Sequence, residues 1–158
     1  MPAAVLVPFS RRDADDVLVG RRRDDWAPGY PTEGDVDMAM RIVAGTKPPV
    51  SKEFPWGAWS VVLPDEGLVV GGAGFHDEPD DSGSVEVGYG IAEGFRGRGV
   101  ASAAVAHLID LARASGARHV LAGTDAENAP SIRVLEKAGF IRTDDRSEEC
   151  RWELDLTT

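Results

Sequence analysis

Val85–Ala101 reads VEVGYGIAEGFRGRGVA, and its texture changes twice within seventeen residues. The first half alternates. Val85, Val87, Tyr89 and Ile91 fall on one face of an extended strand, and Glu86, Gly88 and Gly90 fall on the other. That second face is a carboxylate beside two missing side chains, which leaves room for a ligand. The strand ends near Ile91 and a helix starts at about Gly99. Between them stand Arg96, Gly97, Arg98 and Gly99. Glycines let backbone N–H groups turn toward a ligand at close range. A helix N-terminus adds a positive partial charge worth roughly 0.3–1 kcal/mol per anionic group. With two arginines in an acidic chain, the turn reads as a phosphate-sized anion site; the alternative is a solvated Gly-Arg connection. It is not a P-loop, because no G-x-x-x-x-G-K-[ST] string exists. Nor is it a dinucleotide fingerprint, since Gly97-x-Gly99 leads to Ser102 where a third glycine is needed.

Upstream, Ala58–Leu63 and Gly67–Phe75 join Ser84–Ile91 through PDE and HDEPDDSG, two acidic turns. The three runs predict an antiparallel meander. Before them, Ser10 caps a helix over 10–24 with Ala14, Val17 and Leu18 on one face. Thr32 starts a second helix, and residues 44–57, with three prolines, form a loop. Downstream, Gly99–Ser115 is a helix closed by Gly116, and His119–Gly123 a short strand. Asn128–Ala138 is a helix capped by Asn128 and followed by Gly139. Phe140–Thr143 and Cys150–Leu156 are two last strands around an acidic turn. This order predicts an α/β (α+β) fold, a mixed, mostly antiparallel central sheet flanked by helices on both faces.

At 158 residues the chain fits one domain, spanning 1–158. Its 27 carboxylates outweigh 17 Lys and Arg to leave a net charge of −10, which argues against nucleic acid and anionic membrane as partners. Arg21-Arg22-Arg23, the densest basic run, meets Asp24 and Asp25 at once. One cysteine excludes an intrachain disulfide, and three scattered histidines show no metal-ligand spacing. No apolar run reaches the ~18 residues of a membrane span. MPAAVLVPFSRRDADD does not have the basic-then-apolar order of a signal peptide. A cytoplasmic protein without a metal is the expectation.

Three segments together resemble the GNAT superfamily of acyl-CoA-dependent N-acetyltransferases. Arg96-Gly97-Arg98-Gly99-Val100-Ala101 resembles its R/Q-x-x-G-x-G/A pyrophosphate loop. Glu86-Val87-Gly88-Tyr89 resembles the E-[IV]-G-Y strand of the ribosomal-protein N-acetyltransferase-like branch. Asn128-Ala129-Pro130-Ser131 through Val134-Leu135-Glu136-Lys137-Ala138-Gly139-Phe140 resembles that branch's N-x-x-S-x-x-V-L-E-K-x-G-F helix. The resemblance implies acetyl-CoA as co-substrate and an amine acceptor, with a homodimer as an allowed assembly. It implies that the amides of Arg98, Gly99, Val100 and Ala101 meet the pyrophosphate. The pantetheine arm would pair with the backbone of Tyr89, Gly90 and Ile91, and Asn128 would add a polar contact beside its role as cap.

Amine acetylation needs a deprotonated amine, a polarised thioester carbonyl and a stabilised thiolate. Glu86 is the candidate base, directly or through a water, in a half-buried setting beside Val and Tyr that pushes a carboxyl's pKa up. Many superfamily members carry a tyrosine acid four residues before the helix-ending glycine; here Leu135 stands there. The resembling branch puts a serine one turn earlier, which makes Ser131 the candidate for the thiolate. Tyr30 and Tyr89 are the only tyrosines that could supply the acid from elsewhere. Arg133 and Lys137 read as solvated helix charges or contacts to the distal CoA phosphate. The loop Asp24–Tyr30, with Trp26 and Tyr30, walls the acceptor pocket or packs as a satellite core. His76 and the acids after it form a solvated turn or attract a cationic amine. The acceptor is a protein or peptide N-terminus or a small amine, antibiotic- or polyamine-like; the rival reading is a silent acyl-CoA-binding module.

Overall fold

The computed structural model describes residues 4–144 and 149–158. Ser10 and Thr32 open the first two helices with reciprocal caps. Each hydroxyl accepts the N–H three residues on, from Asp13 or Asp35, whose carboxylate accepts the cap residue's own N–H. Helix α1 covers Arg11–Val19 and α2 covers Glu33–Val43. The first is shorter than the run to Asp24 that the sequence predicts. Gly20 takes a left-handed conformation (φ 72°) and stops it there. Ala14 and Val17 go inward, whereas Leu18 stays on the surface. The arginines after Gly20 are consumed locally. Arg23 pairs with Asp13 and Asp16, and Arg22 forks onto the carbonyls of Trp26, Ala27 and Tyr30.

Among the described residues seven strands make one sheet: β1 (Val5–Pro8), β2 (Ala58–Leu63), β3 (Leu68–Phe75), β4 (Ser84–Ile91), β5 (His119–Asp125), β6 (Ile141–Asp144) and β7 (Glu149–Asp155). Their spatial order is β1-β2-β3-β4-β5-β7-β6. Only β4 and β5 run parallel, which bears out a mixed, mostly antiparallel sheet. The β2–β3–β4 meander lies where its alternation and turns put it. Strand β1 was not expected: four residues ending in Pro8 carry too little pattern, and they pair antiparallel with β2 along the sheet edge. The acidic turn between the last two strands falls on 145–148, outside the described residues.

Helices α3 (Val100–Ala114) and α4 (Ala129–Lys137) belong to the larger core, α1 and α2 to a smaller one across the sheet. Helix α3 turns Val100, Ala104, Val105, Leu108, Ile109 and Ala112 inward against Val61, Val70, Phe75, Val85 and Val87 of the sheet. Each such side chain fully buried contributes about 1.5–3 kcal/mol. The opposite face packs Phe9, Ala14, Val17, Ala39 and Ile42 around Trp26 and Tyr30, whose rings meet edge to face at 5.2 Å. The Asp24–Tyr30 loop is therefore the satellite core, and both its aromatic rings are buried.

Candidate active site

Strands β4 and β5 pair only over Ser84–Glu86 and His119–Leu121. Beyond Glu86 the two diverge toward their C-terminal ends, β4 keeping β3 and β5 keeping β7 as sole neighbours. The wedge that opens is a place for an extended ligand at the carboxyl ends of parallel strands. The carbonyl of Glu86 accepts from His76 N–H, and Ala92 N–H donates to Val70. Even-numbered peptide groups of β4 thus face β3, and by alternation those of Tyr89 and Ile91 face the wedge. Of these the Ile91 carbonyl already accepts from Arg96 Nε at 3.0 Å.

Past β4, a single 3-10 turn (Glu93–Phe95) leads into the glycine loop. Gly97 (φ 75°) and Gly99 (φ 79°) are both left-handed, a conformation that costs other residues about 1–2 kcal/mol. No side chain caps α3, and the first closing bond runs from Ala103 N–H to the Gly99 carbonyl. The N–H groups of Val100, Ala101 and Ser102 are left for a ligand. The arginine side chains are not aimed at that point, as the sequence reading supposed. Arg96 is tied to Ile91, and Arg98 lies over the Phe95 ring and pairs with Glu66 at 2.8 Å. Both partners of that pair are well exposed, so it is worth ~0–1 kcal/mol and releases Arg98 cheaply.

On the other lip stands α4. Asn128 caps it, its side-chain oxygen accepting Ser131 N–H, and Pro130 fills the first turn. The Ser131 hydroxyl lies 2.7 Å from the Tyr89 phenol, a bond that links the two diverging strands' sides of the wedge. Burial pushes the Tyr89 phenol's pKa up, with the serine bond opposing it, so the ring keeps its proton at neutral pH. Sequence reasoning used Tyr89 for its backbone and offered its hydroxyl as one of two that could supply the acid from elsewhere; what it missed is the contact with Ser131, 42 positions along the chain. Leu135 is fully buried in the main core and does not face the wedge. Arg133 and Lys137 are exposed.

A second hollow, about 460 Å³, lies on the opposite side of β3 and β4, under α2. Gly72, Gly74, Gly88 and Gly90 floor it; Phe9 and Met38 give it apolar walls, and Thr32 and Asp35 polar ones. Gly72 has to be glycine, because a Cβ there would collide with the Asp35 carboxylate. Burial pushes the Asp35 pKa up, against the hydrogen bonds from Thr32. The walls come from α2 rather than from the Trp26–Tyr30 loop.

Glu86 sits where β4 and β5 part, on the same face as Gly88 and Gly90. Its neighbours are not the apolar ones expected: Val85 and Val87 point to the far face, and its two oxygens contact His76 Nδ1 and Arg151 at 3.1 Å each. The Arg151 guanidinium, held by that hydrogen bond, has its pKa raised. Among the cleft-lining residues it is His76, not Glu86, that borders the hollow. The structure thus gathers Tyr89, Gly90, Ile91, the 96–101 loop, Asn128 and Ser131 around the wedge, with Glu86 at its apex.

Comparison with known proteins agrees with this geometry. A sequence profile described as acetyltransferase (GNAT) domain matches residues 4–141. The uncharacterized N-acetyltransferase YjdG of Bacillus subtilis is 33% identical over 97 residues, 60% of this chain and 57% of that one. The uncharacterized N-acetyltransferase p20 of Bacillus licheniformis is 32% identical over 83 residues, 52% of this chain and 47% of its own length. The chain thus spans about half the length of these curated relatives. Among solved structures, the ribosomal-protein-S5-alanine acetyltransferase of Vibrio fischeri superposes with a TM-score of 0.66 at 16% identity, covering 98% of this chain and 92% of that one. The yncA protein of Salmonella typhimurium, solved with its cofactor acetyl-CoA, gives 0.62 at 20% identity, with 98% and 94% covered. With its wedge, glycine loop and profile match in agreement, the chain belongs to the GNAT acetyltransferase family.

Proposed function

We propose that this chain is a single cytoplasmic N-acetyltransferase domain that moves an acetyl group from acetyl-CoA to a primary amine. The observation that carries the reading is the splay of β4 from β5 with an uncapped helix N-terminus at its mouth. One anionic and one extended ligand segment fit there together. The amides of Gly99, Val100 and Ala101 hold the pyrophosphate, and Tyr89, Gly90 and Ile91 offer a strand edge to the pantetheine. Asn128 adds a polar contact, and Tyr89 with Ser131 donates to the departing thiolate. The acceptor enters the hollow under α2, with Glu86 serving its deprotonation.

A volume near 460 Å³ suits a small amine or one terminal residue of a peptide. Glu33, Asp35 and Asp37 line it against Arg41 and Arg96, and with Arg41 paired to Asp37 the excess of one carboxylate favours a cationic acceptor. Faster turnover of cationic than anionic amines, fading with added salt, is expected; equal turnover at low salt refutes that preference. The reading as a whole is tested by thermal unfolding with acetyl-CoA. A ligand at 100 times its Kd stabilises by about 2.7 kcal/mol. Absence of any shift at millimolar acetyl-CoA removes the assignment. A shift without amine-dependent thiol release, across a panel of peptides and small amines, favours the silent binding module.

A further inference from the structure

On the cleft side of the sheet a polar line crosses three strands and the end of a fourth. His76, just past β3, contacts Glu86 of β4 through Nδ1 at 3.1 Å. Glu86 contacts Arg151 of β7, and Arg151 contacts Glu149. Two glycines make the line possible. A Cβ on Gly88 would stand 2.9 Å from His76 Nε2, and one on Gly123 of β5 would strike the Glu149 carboxylate. The imidazole therefore lies over Gly88, in the space its missing side chain leaves.

The main chain of His76 is fixed on both sides. Its N–H donates to the Glu86 carbonyl, and its own carbonyl accepts from the Lys47 ammonium at 2.8 Å. Lys47 is itself buried and also donates to Phe75. A carboxylate accepts only, so in the neutral ring the Glu86 contact favours the proton on Nδ1 and the lone pair on Nε2. His76 lines the hollow, and its side chain is half exposed to it.

We propose that His76 is the base that deprotonates the acceptor amine, and that Glu86 is a positioning residue acting through it. The proposal rests on the acetyl-transfer reading. Nε2 takes one proton from the acceptor's ammonium. The freed nitrogen pair forms the N–C bond to the thioester carbonyl, the C–S bond breaks with its pair on sulfur, and sulfur takes a proton from the Tyr89–Ser131 hydroxyls. The second proton that the nitrogen sheds on becoming an amide restores the hydroxyls, and solvent in the half-open hollow removes the imidazolium proton.

The test combines turnover, binding and NMR on the full chain. His76→Ala lowers kcat by about 10²–10⁴-fold with acetyl-CoA affinity unchanged, and added imidazole restores part of the loss. Glu86→Gln loses about 10–150-fold, the worth of one charged hydrogen bond. The double variant is no slower than His76→Ala, because Glu86 has nothing left to orient. Nitrogen-15 shifts of the parent's His76 show Nδ1–H with bare Nε2, a preference weakened in Glu86→Gln. Parental kcat in His76→Ala, an undiminished Glu86→Gln loss in its background, or the opposite tautomer in the parent each overturns the assignment. Any of these alongside a normal acetyl-CoA stabilisation removes the His76–Glu86 pair alone; no stabilisation removes the acetyl-transfer reading itself.

Discussion

Tyr89→Phe removes one oxygen from the wedge and nothing else. The ring stays packed on the main core, against which Tyr89 is half-buried. What disappears is the bond of 2.7 Å to Ser131 Oγ and, on the proposed mechanism, a donor to the departing thiolate. In the ground state the loss is small, about 0.5–1.5 kcal/mol of stability, because Ser131 is partly exposed and water can replace the phenol. In the transition state of the proposed mechanism the phenol, or Ser131 polarised by it, would face a forming negative charge. Hydrogen bonds to charged groups are worth roughly 1.5–3 kcal/mol, which converts to about 10–150-fold in rate. A neutral thioester gains little from the same donor, so the cost falls on kcat and not on acetyl-CoA affinity. Thiol release from acetyl-CoA under saturating acceptor measures kcat, and calorimetry measures affinity. Ser131→Ala belongs in the same series. Two hydroxyls acting as one unit give a double variant close to the worse single one. Parental kcat in both single variants refutes the reasoning and leaves the thiolate to depart unassisted.

Gly99→Val places a branched side chain at φ 79° and beside the open amides, and is expected to abolish stabilisation by acetyl-CoA; retention of the parental Kd refutes the loop assignment. Leu135→Tyr is expected to destabilise by ~1–3 kcal/mol with no gain in rate, since that position is fully buried; a faster enzyme would show that it reaches the wedge after all. Asp35 gives a pH signature. Its folded pKa lies above the ordinary 3.8, so its contribution to stability is fully present below that value and is lost as pH rises through the raised one. Asn cannot titrate, so the melting temperature of Asp35→Asn should gain on the parent from about pH 4 toward neutrality. A constant or shrinking gap contradicts the buried charge.

Local signals in this chain carried far. The alternation of Val85–Ile91, the turns at 64–66 and 76–83, and the caps at Ser10, Thr32 and Asn128 each depend on a few adjacent residues, and the elements formed there. The misses share a cause, which is distance along the chain. Strand β1 is defined by its partner, Val62 to Trp59, more than by its own four residues. Arg22 is a local exception: it looked like part of a basic run and is spent on three carbonyls four to eight residues on, in a loop that it folds back. The resemblance to a family placed Glu86 and Ser131 near the chemistry, yet nothing local tells that Glu86 stands against His76 and Arg151. Nor does spacing say that Ser131 meets Tyr89. Those contacts are made by the sheet order, which sets β7 next to β5 and lets β4 lean away.

The divergence of β4 from β5 also divides the sheet mechanically. Three register pairs, Ser84–Glu86 with His119–Leu121, are the strand hydrogen bonding that unites a four-stranded half with a three-stranded one. Beyond them each half has an edge inside the molecule, with backbone groups that no neighbouring strand pairs. A ligand laid along that gap would act as mortar, pairing where no strand does. Amide hydrogen exchange should then slow on binding at Tyr89 and Ile91 and along the β5 lip, while the outer strands keep their own rates. If the co-substrate enters there as proposed, the seam would be the part of the protein most stiffened by it.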